Sequence, residues 1–415
     1  MTDLIDCLEQ ADPATFPYDD IVAEFQRVGK HFVCKELLAA LDNVRRLAIG
    51  EHHRTASPEA GLLKRFLDCA LDKWDGKYDY LSYTGLSLLP LPDESDTASA
   101  VRLHNRLMLL LITDTVRFEL AAADGRTTLL PRMRPDQPVT IKRCRLCLRL
   151  FASRLGPLGL TDAELAAGPV AAARRACAAV APTVTPAEER MLQLSMLPVD
   201  TVHDEYMFIR VLQSFESTFA LIGGHLGAAI RALRPADAQP DASLAAALLR
   251  DCAAELHRAA PLFSLLATMQ VGAFRSFRQF TEGASAIQSR AYKLMEALCR
   301  VPDTSRLDSP AYHNVPDVRA LVVDGLPNLQ QAVEQSRASG VLTPAADKEV
   351  ADAMSGFAGM LSKWRTTHYR LAVRMLGEAP GTGYTEGTPY LKSVQHIPVF
   401  TGSAGGEPRG LSESQ

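Results

Sequence analysis

The sequence predicts an all-α protein. Apolar residues recur at three- and four-residue steps along nearly the whole chain, period-two strands are scarce, and Ala and Leu dominate while aromatics reach only 7%. Ile21, Phe25, Val28 and Phe32 form one helical stripe, and Leu62, Phe66, Cys69 and Ala70 another. Tyr78 to Tyr83 alternates briefly. It is short and follows the turn signal Asp75-Gly76, so a loop and a short helix fit it equally.

Breaks between helices are marked by proline and acid clusters. Loops are expected at Pro90 to Glu94, Pro131 to Pro138 and Arg234 to Asp241, and a long proline-rich excursion at Val301 to Asp317. Thr185-Pro186-Ala187-Glu188 combines a cap, a first-turn proline and a Glu three residues on, which opens a helix. A boundary is placed there. The expected organisation is a helical region over 1–185, a second helical domain over 186–400 and a polar, Gly/Ser-rich tail over 401–415. No repeat of solenoid period is present.

The charge balance narrows the function classes. Lys and Arg total 44 against 48 Asp and Glu in 415 residues, a formal charge of −4, so no cation excess points to nucleic acid. The longest apolar run, Leu107 to Ile112, is far short of a membrane span, and the acidic start Met1-Thr2-Asp3-Leu4 does not read as a signal peptide. A soluble cytoplasmic protein with no membrane partner is expected. The eight cysteines are scattered, and Cys144-Arg145-Leu146-Cys147 lacks the second pair a zinc site needs. Lys142, Arg143, Arg145 and Arg149 around it are expected to form a solvated helix face.

Three segments carry chemistry. HDEYMFIRVLQSFE at 203–216 places Phe208, Leu212, Phe215 and Phe219 on one helical face, a stripe that suits core packing or a pocket wall. AFRSFR at 273–278, followed by ASAIQS at 284–289, sets Phe274 one turn from Arg278. A guanidinium beside a ring can clamp a carboxylate bidentately while the ring packs the ligand body; a solvated Arg is the alternative. WRTTH at 364–368, then RMLG at 374–377 and GTGYTEG at 381–387, puts a His inside a helix one turn after a Trp. Such an imidazole can ligate a metal. The glycine loop trails a helix and has no GK[ST], which argues against a phosphate loop.

Occurring together in this order, the three segments resemble the tryptophan 2,3-dioxygenase superfamily of haem-dependent aromatic oxygenases. That family carries an HDE…LFI…HQ…E helix, a DF..FR…ASGFQS segment and a WR..H…V.RM.G…GTGGS.G..YL segment. The resemblance spans roughly residues 190–395. It implies an all-α fold with haem b between helices, so that 186–400 is a dioxygenase-like domain. It further implies His368 as the axial iron ligand and Arg278 as the substrate-carboxylate anchor beside Phe274. Thr382 would meet the substrate's amino and carboxylate groups, and Phe208 would line the distal pocket.

The chain also departs from the pattern. Leu212 stands where the family has a distal His that accepts from the indole N–H, and Leu accepts nothing; Ser214 or Tyr384 could supply the partner instead. Tyr384 replaces a loop glycine. The family's Tyr-bearing N-terminal segment, which reaches a neighbouring subunit's site, has no clear counterpart; Arg190 to Leu194 stands at that place without a Tyr. The expected function is a haem-dependent oxygenase that uses O₂ on an aromatic amino acid or related indole, with no acid–base residue assigned. Alternatives are a mono-oxygenase of a tryptophan or tyrosine derivative, favoured by Leu212, and a non-catalytic haem-binding or sensing protein, disfavoured by Arg278 and Thr382. A homo-oligomer is expected from the family.

Overall fold

The computed structural model describes residues 4–5, 8, 13–51, 57–77, 79–92, 96–152, 163, 166–234, 240–377, 381 and 387–401, with the side chains of 48–51 excepted. Among these there is no β-strand, only an isolated parallel bridge between Arg132 and Val202. The all-α expectation holds. The expected tail, apart from Thr401, lies outside the described residues, as does Tyr78.

The chain opens with α1 (Tyr18–Val28), α2 (Lys35–Glu51) and α3 (Pro58–Ala70). Their apolar stripes meet in a cluster around Phe25, Leu37 and Phe66, which Leu194 and Leu197 join from later in the chain. The short α4 (Tyr80–Tyr83) follows. Its Asp79 side chain accepts from the Ser82 amide at 2.7 Å, the cap that lets four residues hold a helical turn. Gly85, at φ +60°, then turns the chain. A Cβ there would lie 3.0 Å from the Ser195 Cα, so only glycine fits the turn and the close backbone approach.

Next come α5 (Thr97–Ala123), α6 (Gln137–Ala152), α7 (Pro169–Val180) and α8 (Pro186–Leu194). The capping box at the start of α8 forms as the sequence implies: Thr185 Oγ1 accepts from the Glu188 amide, and Glu188 accepts from the Thr185 amide. The central element is α9 (His203–Leu233), a 31-residue helix buried nearly all round. It packs on α5, on α10 (Ala242–Leu266) and on α12 (Arg290–Cys299), while the short α11 (Val271–Arg278) lies between α10 and α12 in sequence.

Where a Pro-rich excursion is expected at 301–317, the structure has α13 (Thr304–Leu307), α14 (Pro310–His313) and α15 (Pro316–Val323). The prolines at the starts of α14 and α15 initiate helices rather than preventing them, because the first turn needs no N–H from them. Tyr312 is fully buried there and donates to Glu296 Oε2 at 3.3 Å. Then α16 (Leu329–Ala338), the 33-residue α17 (Pro344–Leu376) and α18 (Thr388–Gln395) complete the order. α17 ends at Gly377 as expected, with φ +61°.

The largest core cluster draws on α5, α6 and α7 as well as α9, α10, α12, α16 and α17, so helices on both sides of position 185 bury their apolar faces together. One expectation about α6 is corrected. Lys142, Arg145 and Arg149 are exposed, but Arg143 is fully buried. It donates to Glu119 Oε1 at 2.7 Å, to Asp204 Oδ1 at 2.6 Å and to Thr268 Oγ1 at 2.9 Å. Helical periodicity turns position 143 inward with Cys147 and Leu150, where two acids already wait. Cys144 and Cys147 are free and buried, and burial pushes both thiols up, Cys144 to about 11.

Candidate ligand cavity

A cavity of about 250 Å³ lies where α9, α11, α12 and α17 converge, with α4 and the start of α18 adding to its wall. The lining is predominantly aromatic and aliphatic, with a few convergent polar groups, the composition expected of a small-molecule site.

The stripe expected on α9 is one wall: Phe208, Leu212, Phe215 and Phe219 all face the cavity. Phe208 meets Phe274 edge-on at 5.7 Å and Phe277 at 5.3 Å, so the α9 and α11 rings form one aromatic corner. Arg278 follows one turn after Phe274 and also lines the cavity. Burial pulls its guanidinium below the ordinary value. Arg275, on the outer face of α11, donates from Nε to the Met375 carbonyl at 3.3 Å and so ties α11 to the end of α17.

His368 projects from α17 into the same cavity. Its ring stacks near Phe263 at 6.2 Å and lies 5.2 Å from Trp364. Burial pulls its pKa down to about 4, so the imidazole is neutral with a lone pair available. Among the described residues no group of three His, Cys, Asp or Glu could hold a metal ion. A neutral imidazole in an apolar cavity is the kind of donor that ligates a porphyrin-bound iron.

The structure thus brings together Phe208, Leu212, Phe274, Arg278 and His368. Thr382 and Tyr384 lie outside the described residues, while Gly381 and Gly387 on either side line the cavity. Ser214 is excluded as a cavity partner: it faces its own helix and donates to the Arg210 carbonyl at 2.8 Å. The stretch Arg190 to Leu194 lines nothing here; Arg190 pairs with Asp19 at 2.6 Å.

The aromatic segment that does reach the cavity is α4. Tyr80 and Tyr83 both line it, and both are buried. The Tyr80 amide donates to Gln288 Oε1 at 2.9 Å, and Gln213 Nε2, beside Leu212, donates to the Thr84 carbonyl at 2.7 Å and the Ser195 carbonyl at 2.9 Å. The wall also contains a carboxyl group that the sequence reading did not assign to the site. Glu216, one turn after Leu212, is 2% exposed and accepts from the Tyr80 hydroxyl at 3.1 Å. Burial pushes its pKa up to about 7. The second acid of the HDE triplet plays another part: Glu205 accepts the amides of Val199 at 2.7 Å and Asp200 at 3.0 Å, folding the 195–202 turn onto α9.

The fold and cavity define an all-α protein that encloses a ligand-sized aromatic site around one neutral imidazole. No protein-family profile matches the chain. It is similar to the tryptophan 2,3-dioxygenase of Anaeromyxobacter dehalogenans (strain 2CP-C), 26% identical over 49% of this chain and 86% of that one. It is 25% identical to the tryptophan 2,3-dioxygenase of Bradyrhizobium diazoefficiens over 49% of this chain and 83% of that one. The enzyme of the same name from Bacillus anthracis is 26% identical over 46% of this chain and 79% of that one. These similarities, each near 25% identity over about half of this chain, support its membership of the tryptophan 2,3-dioxygenase superfamily as a divergent member.

Proposed function

We propose that this chain is a haem-dependent oxygenase that inserts oxygen from O₂ into an aromatic amino acid or a related indole. The observation that carries the reading is His368, a neutral imidazole in an aromatic cavity that Arg278 also lines. Haem b, when bound, supplies an Fe(II) centre that activates O₂. His368 holds the iron. Phe208, Phe274 and Phe277 form the corner that packs the substrate ring, and their apolar faces exclude water. Arg278 anchors the substrate carboxylate, with Thr382 as its partner from the glycine loop. Binding at both ends of the substrate fixes the orientation of the ring.

Leu212 favours a second reading, mono-oxygenation of a tryptophan or tyrosine derivative. It lines the cavity and offers an indole N–H no acceptor. The two outcomes differ in electron demand. Dioxygenation consumes no external electrons, whereas hydroxylation by O₂ needs two. Turnover of L-tryptophan or L-tyrosine that depends on a stoichiometric reductant would select hydroxylation.

The test begins with haem reconstitution and a Soret spectrum, followed by titration of the ferric protein with L-tryptophan, L-tyrosine and their methylated forms. A spectral response to one of them supports the enzyme reading. Haem binding without any response favours a sensor. The proposed setting is cytoplasmic; among the described residues no helix is long and apolar enough to cross a membrane.

A further inference from the structure

Next to the cavity lies a buried charge imbalance. Arg306, Arg365 and Lys293 gather around one carboxylate, Glu296, and all four are nearly inaccessible. Among the described residues Glu296 is the only acid within salt-bridge distance of the three. Its oxygens are already occupied: Arg306 Nη2 reaches them at 2.7 and 2.9 Å, Arg365 Nη2 at 3.1 Å and the Tyr312 hydroxyl at 3.3 Å. Lys293 Nζ is left 3.9 Å away, beyond hydrogen-bond reach, against the faces of Tyr292 and Tyr312. It is 3% exposed and lines the cavity. A buried ammonium without a hydrogen-bonded anion is costly, and a carboxylate entering from the cavity would remove that cost.

We propose that Lys293 is the seat of an anionic subsite in this cavity and that the anion is a carboxylate of the cofactor. The proposal rests on the haem reading above. Arg278 on α11 already answers the substrate carboxylate in that reading. Lys293, on α12, is therefore assigned to a haem propionate. The side chain's depressed ammonium pKa, pulled to about 8 by burial, is consistent with a group waiting for its counter-charge.

The probes are haem and haem dimethyl ester, which lacks the propionate charges, titrated into the protein while the Soret band and tryptophan fluorescence are followed. The native protein should bind haem about 10- to 100-fold more tightly than the ester, the range of a charge-assisted hydrogen bond. Lys293→Met should erase that preference and Lys293→Arg should keep most of it. L-Tryptophan and tryptamine titrations of the haem-loaded forms separate the sources. If Lys293→Met weakens L-tryptophan alone and spares the haem preference, the propionate assignment is overturned and the carboxylate at Lys293 is the substrate's. If Lys293→Met binds all four probes like the native protein, the proposal is overturned. Should that variant not fold, equal affinity of the native protein for haem and ester overturns it. A native protein that binds neither form sinks the haem reading itself.

Discussion

The Tyr80 hydroxyl donates to Glu216 Oε1 at 3.1 Å inside the cavity wall, joining a four-residue helix to the longest buried one. Both groups are buried, and among the described residues no cation lies within salt-bridge distance of Glu216. The carboxyl therefore titrates near 7 instead of 4.5.

This linkage has a pH signature. In the folded state Glu216 holds its proton between pH 4.5 and about 7, while the unfolded chain releases it. The folded state then binds more protons, and stability falls as pH rises through that window. Glu216→Gln removes the titration. Its stability relative to the native protein should improve from pH 5 to pH 8, by an amount on the order of 3 kcal/mol at most, since one pKa unit is about 1.4 kcal/mol. Urea denaturation at both pH values measures it. An unchanged difference would place Glu216 in a hydrated site.

Arg143 bridges Glu119 and Asp204 with all three side chains inaccessible. Arg143→Met should cost about 3–5 kcal/mol, because two buried carboxylates lose the cation they share. Chemical denaturation reads the loss. A cost below about 1 kcal/mol would mean that water enters the pair.

Arg278→Ala should weaken binding of L-tryptophan by about 10- to 100-fold and leave tryptamine unaffected, since a charge-assisted bond contributes about 1.5–3 kcal/mol. Equal losses for both ligands would indicate a packing role beside Phe274.

Leu212→His adds an acceptor to the α9 wall. The ratio of L-tryptophan to 1-methyl-L-tryptophan affinity should rise about fivefold, as one neutral hydrogen bond contributes about 1 kcal/mol. A native ratio already that large, unchanged by the variant, would mean that another group such as Glu216 receives the ring N–H.

The helices were legible because apolar periodicity survives in almost every segment, and α9, α11 and α17 carry the residues that resemble the family. Their convergence on one cavity follows that order. Tyr80 and Tyr83 were not legible: six residues of alternation fit two structures, and only Asp79 capping and the Gly85 turn against Ser195 select the helix. Glu216 and Lys293 look like ordinary polar positions until burial is known, for a helix exposes some acids and lysines and buries others with the same spacing. The Arg143 pair was hidden for the same reason. Its partners lie 24 and 61 residues away.

The central claim is that His368 holds a haem iron in this cavity. The most direct measurement is the absorption spectrum of the purified protein after reconstitution with haem, beside that of His368→Ala. A stoichiometric Soret band in the native protein that survives gel filtration, and is lost in the variant, is the predicted result. No Soret band in the native protein, or full haem retention by His368→Ala, would contradict it.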